Sequence, residues 1–197
     1  MHGLIGRAIQ NFVHDTYGPE TWLQIVGVAA VPMTEFEPLK IYSDDVADKV
    51  LDAVALCLER PREEILEDMG LYLVAHPNCA TVRRLLRFGG DTFLHFLHSL
   101  NELPDRVRLA VSDLDLPELD LREHYAGNLT LTVFDGPHGF GHVLVGLLRA
   151  MADDFGALVM LEHMGRNQSA ETLQVQLLEV DYAQGRAFQF AGDGTAP

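Results

Sequence analysis

The sequence predicts an α+β fold, with a helical N-terminal part followed by a four-stranded antiparallel sheet and one long crossing helix. Three observations carry this. Apolar residues recur at helical spacing through roughly the first 100 positions. Leu129, Thr130, Leu131, Thr132 and Val133 then alternate as a strand that Gly136-Pro137 closes. An apolar stretch from Phe140 to Phe155 follows, with further strand-like runs behind it. The 197 residues are 48% hydrophobic. A chain of that length buries about 70% of its unfolded surface, so it needs no disulfide or metal staple.

Leu4, Ile5, Ala8, Ile9, Phe12 and Val13 mark an amphipathic first helix that ends before Tyr17-Gly18-Pro19. A short second helix holds Trp22, Ile25 and Val26. Ser43, Asp44 and Asp45 open a third, acids in its first turn suiting the helix dipole, and its buried stripe is Val46, Val50, Ala53, Val54 and Cys57. Pro61 starts the next, with Ile65, Met69, Tyr72 and Leu73 on one face. A fifth begins near Thr81, is interrupted at Gly89-Gly90, and resumes through Phe93, Phe96, Leu97, Leu100 and Leu103 until Pro104. Leu114, Leu116, Leu119 and Leu121 are spaced too loosely for a helix and read as an extended linker. After the strand at 129–133 and the helix at 140–155, strands are expected at 158–163, 172–180 and 187–190. A turn at Ala183-Gln184-Gly185 makes the last two a hairpin, and 192–197 reads as a frayed tail.

Lys and Arg number 14 against 29 acids, a net charge of −15. That balance repels a phosphate backbone, so neither nucleic-acid binding nor docking to an anionic bilayer is expected, and basic partner surfaces are favoured. Cys57 and Cys79 stand in no CxxC cluster and read as buried small hydrophobes in a reducing compartment. Met1-His2-Gly3-Leu4 opens no signal peptide, and the apolar run at 143–151 is broken by Gly146 and Arg149. A cytoplasmic protein is expected.

Candidate chemistry is sparse. Gly136, Gly139 and Gly141 crowd a loop before a helix, but Leu144 stands where a dinucleotide fingerprint needs glycine and no Lys-Ser/Thr pair follows. A strand-to-helix turn is the simpler reading. His95 and His98, and likewise His138 and His142, have metal-ligand spacing without a third partner. Asp44-Asp45, Glu63-Glu64 and Asp153-Asp154 read as solvated charge. No GxSxG elbow or Cys/His signature supports a nucleophile, so no enzyme is expected.

Several segments occur in the order of one known family. They are Met1-His2-Gly3-Leu4-Ile5, Gly18-Pro19-Glu20-Thr21-Trp22, Ile41-Tyr42-Ser43-Asp44-Asp45, Gly70-Leu71-Tyr72-Leu73-Val74 and Leu85-Leu86-Arg87-Phe88-Gly89. Phe96 to Leu103 and Gly139 to Leu148 complete the series. Through them the chain resembles the H-NOX family, the haem-NO/oxygen-binding domain also called HNOB. The resemblance implies a domain over 1–182, with a helical part to about 66 and a proximal α+β part over about 67–182; the last strand and tail occupy 183–197. It also implies haem as cofactor, and partners such as histidine kinases, diguanylate cyclases or chemotaxis receptors.

By the same resemblance the pocket positions are Ile5, Leu73, Leu97, Leu100, Leu103, Pro104, Pro117, Val133, Asp135 and Pro137. Ile5 and Pro117 match apolar positions that pack on the porphyrin. The family's Leu-His, whose histidine binds iron, is here Leu103-Pro104. Proline offers iron no lone pair. On a helix of 100° per residue, His98 lies about 120° and His95 about 180° away from position 104. The family's Tyr-x-Ser-x-Arg motif, which clamps the haem propionates, becomes Val133, Asp135 and Pro137, or Phe134, Gly136 and His138 one residue on. Neither register supplies the arginine fork. A haem-free pocket should be filled, with Leu100, Leu103, Phe134 and Phe140 as fillers. The expected function is therefore a stand-alone H-NOX-like signalling module without orthodox haem ligation, too short to carry its own effector. It would act through a partner protein or a non-haem apolar ligand. The alternative is a haem-binding NO/O2 gas sensor that uses His98, His124, His138 or His142 as its axial ligand.

Overall fold

The first helix, α1 (Gly3–Tyr17), is capped by His2, whose Nδ1 accepts the Leu4 N–H at 3.2 Å. The computed structural model to which it belongs describes residues 1–43 and 45–179. The expected strand at 187–190, the turn at 183–185, the frayed tail and Asp44 lie outside the described residues. Gly18 turns the chain at φ 91°, a conformation that suits glycine, and Pro19 starts α2 (Pro19–Ala29). The segment that follows folds back over these helices. Trp22 Nε1 donates to Thr34 O at 2.7 Å, and the buried Gln10 accepts the Phe36 N–H at 3.0 Å. Then come α3 (Asp45–Leu58) and α4 (Arg62–Ala75). Pro61 caps α4 from just outside it rather than occupying its first turn. The apolar stripes of these four helices enclose a core built on Phe12, Val13, Trp22, Ile25, Val50, Val54, Ile65 and Tyr72.

A short 3-10 turn at Pro77–Cys79 leads into α5 (Ala80–Arg87), and the loop at Gly89-Gly90 separates it from α6 (Phe93–His98), which Thr92 caps. The helix does not end at Pro104. A 3-10 turn over Ser99–Glu102 is followed by α7 (Leu103–Ala110), with Pro104 in its first turn. A first-turn residue has no N–H bond to lose, so proline opens this helix instead of closing the one before.

The segment read as a linker is partly a strand. β1 (Glu118–Tyr125) pairs antiparallel with β2 (Asn128–Phe134), because Leu119 and Leu121 alternate with Asp120 and Arg122 on an edge strand. α8 (Phe140–Phe155) then crosses to β3 (Leu158–Asn167), which turns back into β4 (Ala170–Glu179). All pairings are antiparallel, in the order β1-β2-β4-β3. Leu119, Leu121, Leu129, Leu131, Val133, Leu173 and Val175 face α8 and the α6–α7 stretch, closing a second core. No helix among the described residues is long and apolar enough to cross a membrane.

The two cores meet where α4 lies on α8. A Cβ on Gly70 would sit 2.0 Å from Val143 O, and one on Gly146 would sit 1.8 Å from Glu67 O. Each helix thus presents a glycine to the other's backbone, and the axes approach more closely than side chains would allow. Two further expectations change. Cys57 and Cys79 are half-buried rather than buried, and burial pushes the Cys79 thiol pKa up. Asp154 is 2% exposed and bound to Arg83, with Arg87 at 3.7 Å, so it ties α8 to α5 and is not solvated charge.

Candidate functional site

The α6–α7 stretch presents carbon to the interior. Phe96, Leu97 and Leu100 have no exposed surface, and Leu103 and Val107 join them in the sheet-side core. Pro104 is half-buried at the start of α7. The imidazoles of this stretch point away: His95 and His98 are exposed, and His98 Nε2 lies 3.2 Å from Glu123 Oε2 on β1. His124 is exposed and bonds Thr130 Oγ1 at 2.7 Å; His138 is exposed just ahead of α8.

The other pocket positions separate into three places. Ile5 and Leu73 pack against the helical core, while Leu97, Leu100, Leu103 and Val133 belong to the sheet-side core. Pro117 is half-buried over the turn after β2, where a Cβ on Gly136 would meet it at 3.0 Å and Val133 at 3.1 Å. Asp135, at φ 51°, and Pro137 are exposed. Phe134 and Phe140 are half-buried.

A polar centre that the sequence reading did not single out sits beside Val133. Glu171 faces Val133 across β2–β4 and Arg166 across β3–β4, and its side chain is 3% exposed. It accepts the backbone N–H of Gly139 and Gly141 at 2.8 Å each. His163 Nε2 and Arg166 NH1 complete its shell at 3.1 Å each. α8 has no side-chain cap of its own, because Gly139 at φ 86° fills the capping position. Glu171 therefore supplies, from the sheet, the anion that a helix start favours. Burial pushes its carboxyl pKa up, but the Gly139 N–H, His163 and the Gly141 N–H together hold it below the ordinary glutamate value. Gly141 has to be small: a Cβ there would lie 2.6 Å from both Glu171 Oε2 and His163 Nε2.

The His163 ring stacks on that of His142, centroids 4.0 Å apart, and His142 Nδ1 reaches Glu67 Oε1 on α4 at 3.3 Å. A cavity of about 130 Å³ opens onto this group, lined also by Arg62, Glu63, Leu66 and His138. Among the described residues no group of three or more His, Cys, Asp or Glu is placed to hold a metal ion. One signal pointed to Glu171: it occupies an inward register with Leu173 and Val175, where an unpaired carboxylate does not survive.

Residues 2–163 match the family described as haem-NO-binding, HNOB. Soluble guanylate cyclase gcy-31 of Caenorhabditis elegans is 26% identical over 82% of this chain, and soluble guanylate cyclase 89Db of Drosophila melanogaster is 20% identical over 86%. The chain spans only 23% and 25% of those two proteins. Among solved structures, a Cs H-NOX mutant carrying 4-cyano-L-phenylalanine superposes with a TM-score of 0.76 at 14% identity, covering 93% of this chain and 100% of its own. An oxygen-binding H-NOX domain related to soluble guanylate cyclases superposes with a TM-score of 0.68 at 15% identity, covering 95% of this chain and 100% of its own.

Proposed function

The chain belongs to the haem-NO-binding (H-NOX) family, and from that premise we propose that it is a sensory module that signals without orthodox haem ligation. A domain of this family is a sensor and not a catalyst. The observation that carries the reading is the chemistry of the α6–α7 stretch. Pro104 stands at the helix start, and the fully buried side chains of that stretch, Phe96, Leu97 and Leu100, end in carbon. Iron needs a nitrogen, sulfur or oxygen donor, and no fully buried side chain of that stretch carries one.

The propionate side agrees. Val133 is packed in apolar core, Asp135 is a carboxylate, and Arg166, whose guanidinium reaches Gly136 O, already binds Glu171. Bringing two propionates beside Glu171 and Asp135 sets like charges together. The residues present do not fit haem held in the family's manner. Input then comes through contact with a partner or through an apolar molecule other than haem. Output passes to an effector outside the domain, such as a histidine kinase, a diguanylate cyclase or a guanylate cyclase. The net charge of −15 suits a basic docking surface on that partner.

The family match itself favours a second reading, a haem-bound NO/O2 sensor with an unusual axial histidine. One experiment separates the two. The protein is expressed with excess haem precursor, its absorption spectrum is recorded, and the haem-free form is titrated with hemin. A broad, weak, unsaturable band is expected. A sharp Soret band saturating at one-to-one stoichiometry, and lost when one named histidine becomes alanine, would overturn the proposal and establish the second reading.

A further inference from the structure

The polar chain Glu67–His142–His163–Glu171 links four elements, α4, α8, β3 and β4, across the line where the two cores meet. In it two imidazoles lie face to face, each held by its own carboxylate. The nitrogens that face those carboxylates, Nδ1 of His142 and Nε2 of His163, carry their hydrogens as donors. The opposite nitrogens, Nε2 of His142 and Nδ1 of His163, have no partner among the described residues. They are where added protons go, and a cavity of about 130 Å³ that both residues line is wide enough for water.

From this geometry we propose that the stacked pair is an acid-operated latch, closed with one proton on the stack and opened by the second. The charged groups around it set the sign. On α4, Glu67 faces His142 and also takes Arg149 from α8 at 3.3 Å; Glu63 is exposed at the cavity rim. Arg62, also on the rim, is occupied by Asp52 at 2.7 Å and Asp48 at 2.5 Å on α3. On the sheet, Arg166 and His163 share Glu171; His138 lines the cavity from the loop before α8. With both rings neutral, Glu67 and Glu171 are matched by Arg149 and Arg166, and Glu63 leaves the group slightly negative. A first proton turns one histidine–carboxylate contact into an ion pair. A second places two cations at stacking distance, and their repulsion is relieved by parting α8 from β3.

The test is a pH titration of the intact protein, followed by NMR at the ring Cε1–H of His142 and His163 and at amide hydrogen exchange. Coupled sites share their titration steps. Both rings should therefore move in the same two separated steps, while the protection factors of the Gly139 and Gly141 amides, taken against the intrinsic rate at each pH, fall at least tenfold through the second and the Leu131 amide stays protected. In His142→Gln, His163 should titrate in one step, and the converse should hold in His163→Gln. Two independent one-step curves in the unaltered protein would overturn the latch without recourse to any variant. Unchanged protection at Gly139 and Gly141, or loss of protection at Leu131 in the same step, would overturn it as well.

Discussion

Glu171 is a carboxylate on an apolar sheet face, and its desolvation is offset by four donors, two of them backbone N–H groups that α8 would otherwise leave unbonded. Its folded pKa is depressed, so the stability it contributes is present above the unfolded value near 4.3 and is lost as pH falls through the folded one. Glu171→Gln keeps the shape and removes the charge. Charged hydrogen bonds contribute about 1.5–3 kcal/mol each, and the amide can still accept at one oxygen. We expect the variant to lose about 2–3 kcal/mol at pH 7 by urea denaturation. Its stability should also vary less than the parent's between pH 5 and pH 3. A parallel pH dependence in the two proteins would mean that the acid sensitivity arises elsewhere.

At the scale of elements, the crossing of α4 and α8 joins the helical and sheet-side cores. Gly146→Ala would drive a methyl into the Glu67 carbonyl, and backbone cannot swing aside as a flexible side chain can. Overpacking of this kind costs about 3 kcal/mol. Gly27 on α2 is the control, because nothing lies within 4 Å of a Cβ placed there. In that open helical position alanine should stabilise by about 0.5–1 kcal/mol. Denaturation of both variants checks the pair, and equal effects at the two sites would refute the close crossing. Elements with strong local periodicity were legible in the sequence: α8 begins and ends at the residues its apolar pattern gives, and α1 to α4 follow theirs closely. Pro104 misled because proline stops a helix and starts one equally well, and only the bonding of the preceding turn tells which. β1 was obscured because its outward residues are charged and its pairing with β2 is tertiary.

For the whole molecule, the fold was readable because each level agreed with the next, while the Glu171 centre was not, since α4, α8, β3 and β4 assemble it from residues more than 100 positions apart in the chain. The departures at Pro104 and at positions 133–137 were visible as residue types, but that Phe96, Leu97 and Leu100 are fully buried, and that Glu171 lies beside Val133, are packing facts. Net charge acts at this same scale. A chain of this length folds to a radius of gyration of about 16 Å, which concentrates its charge of −15. At about 10 mM salt the Debye length is about 30 Å and every charge repels the rest; at about 150 mM it is about 8 Å and the repulsion is confined to neighbours. Salt also weakens the ion pairs, but most, such as Lys49–Asp45 and Arg108–Asp105, are exposed and therefore weak. Relief of the collective repulsion should therefore outweigh their loss. Raising sodium chloride from about 10 to about 150 mM at pH 7 is expected to raise the thermal midpoint by about 2–4 °C, the shift that about 1 kcal/mol produces in a domain of this size. A midpoint that falls instead would mean that the surface pairs hold the fold together more strongly than their exposure implies, and that the excess acidity is spread too widely to strain it.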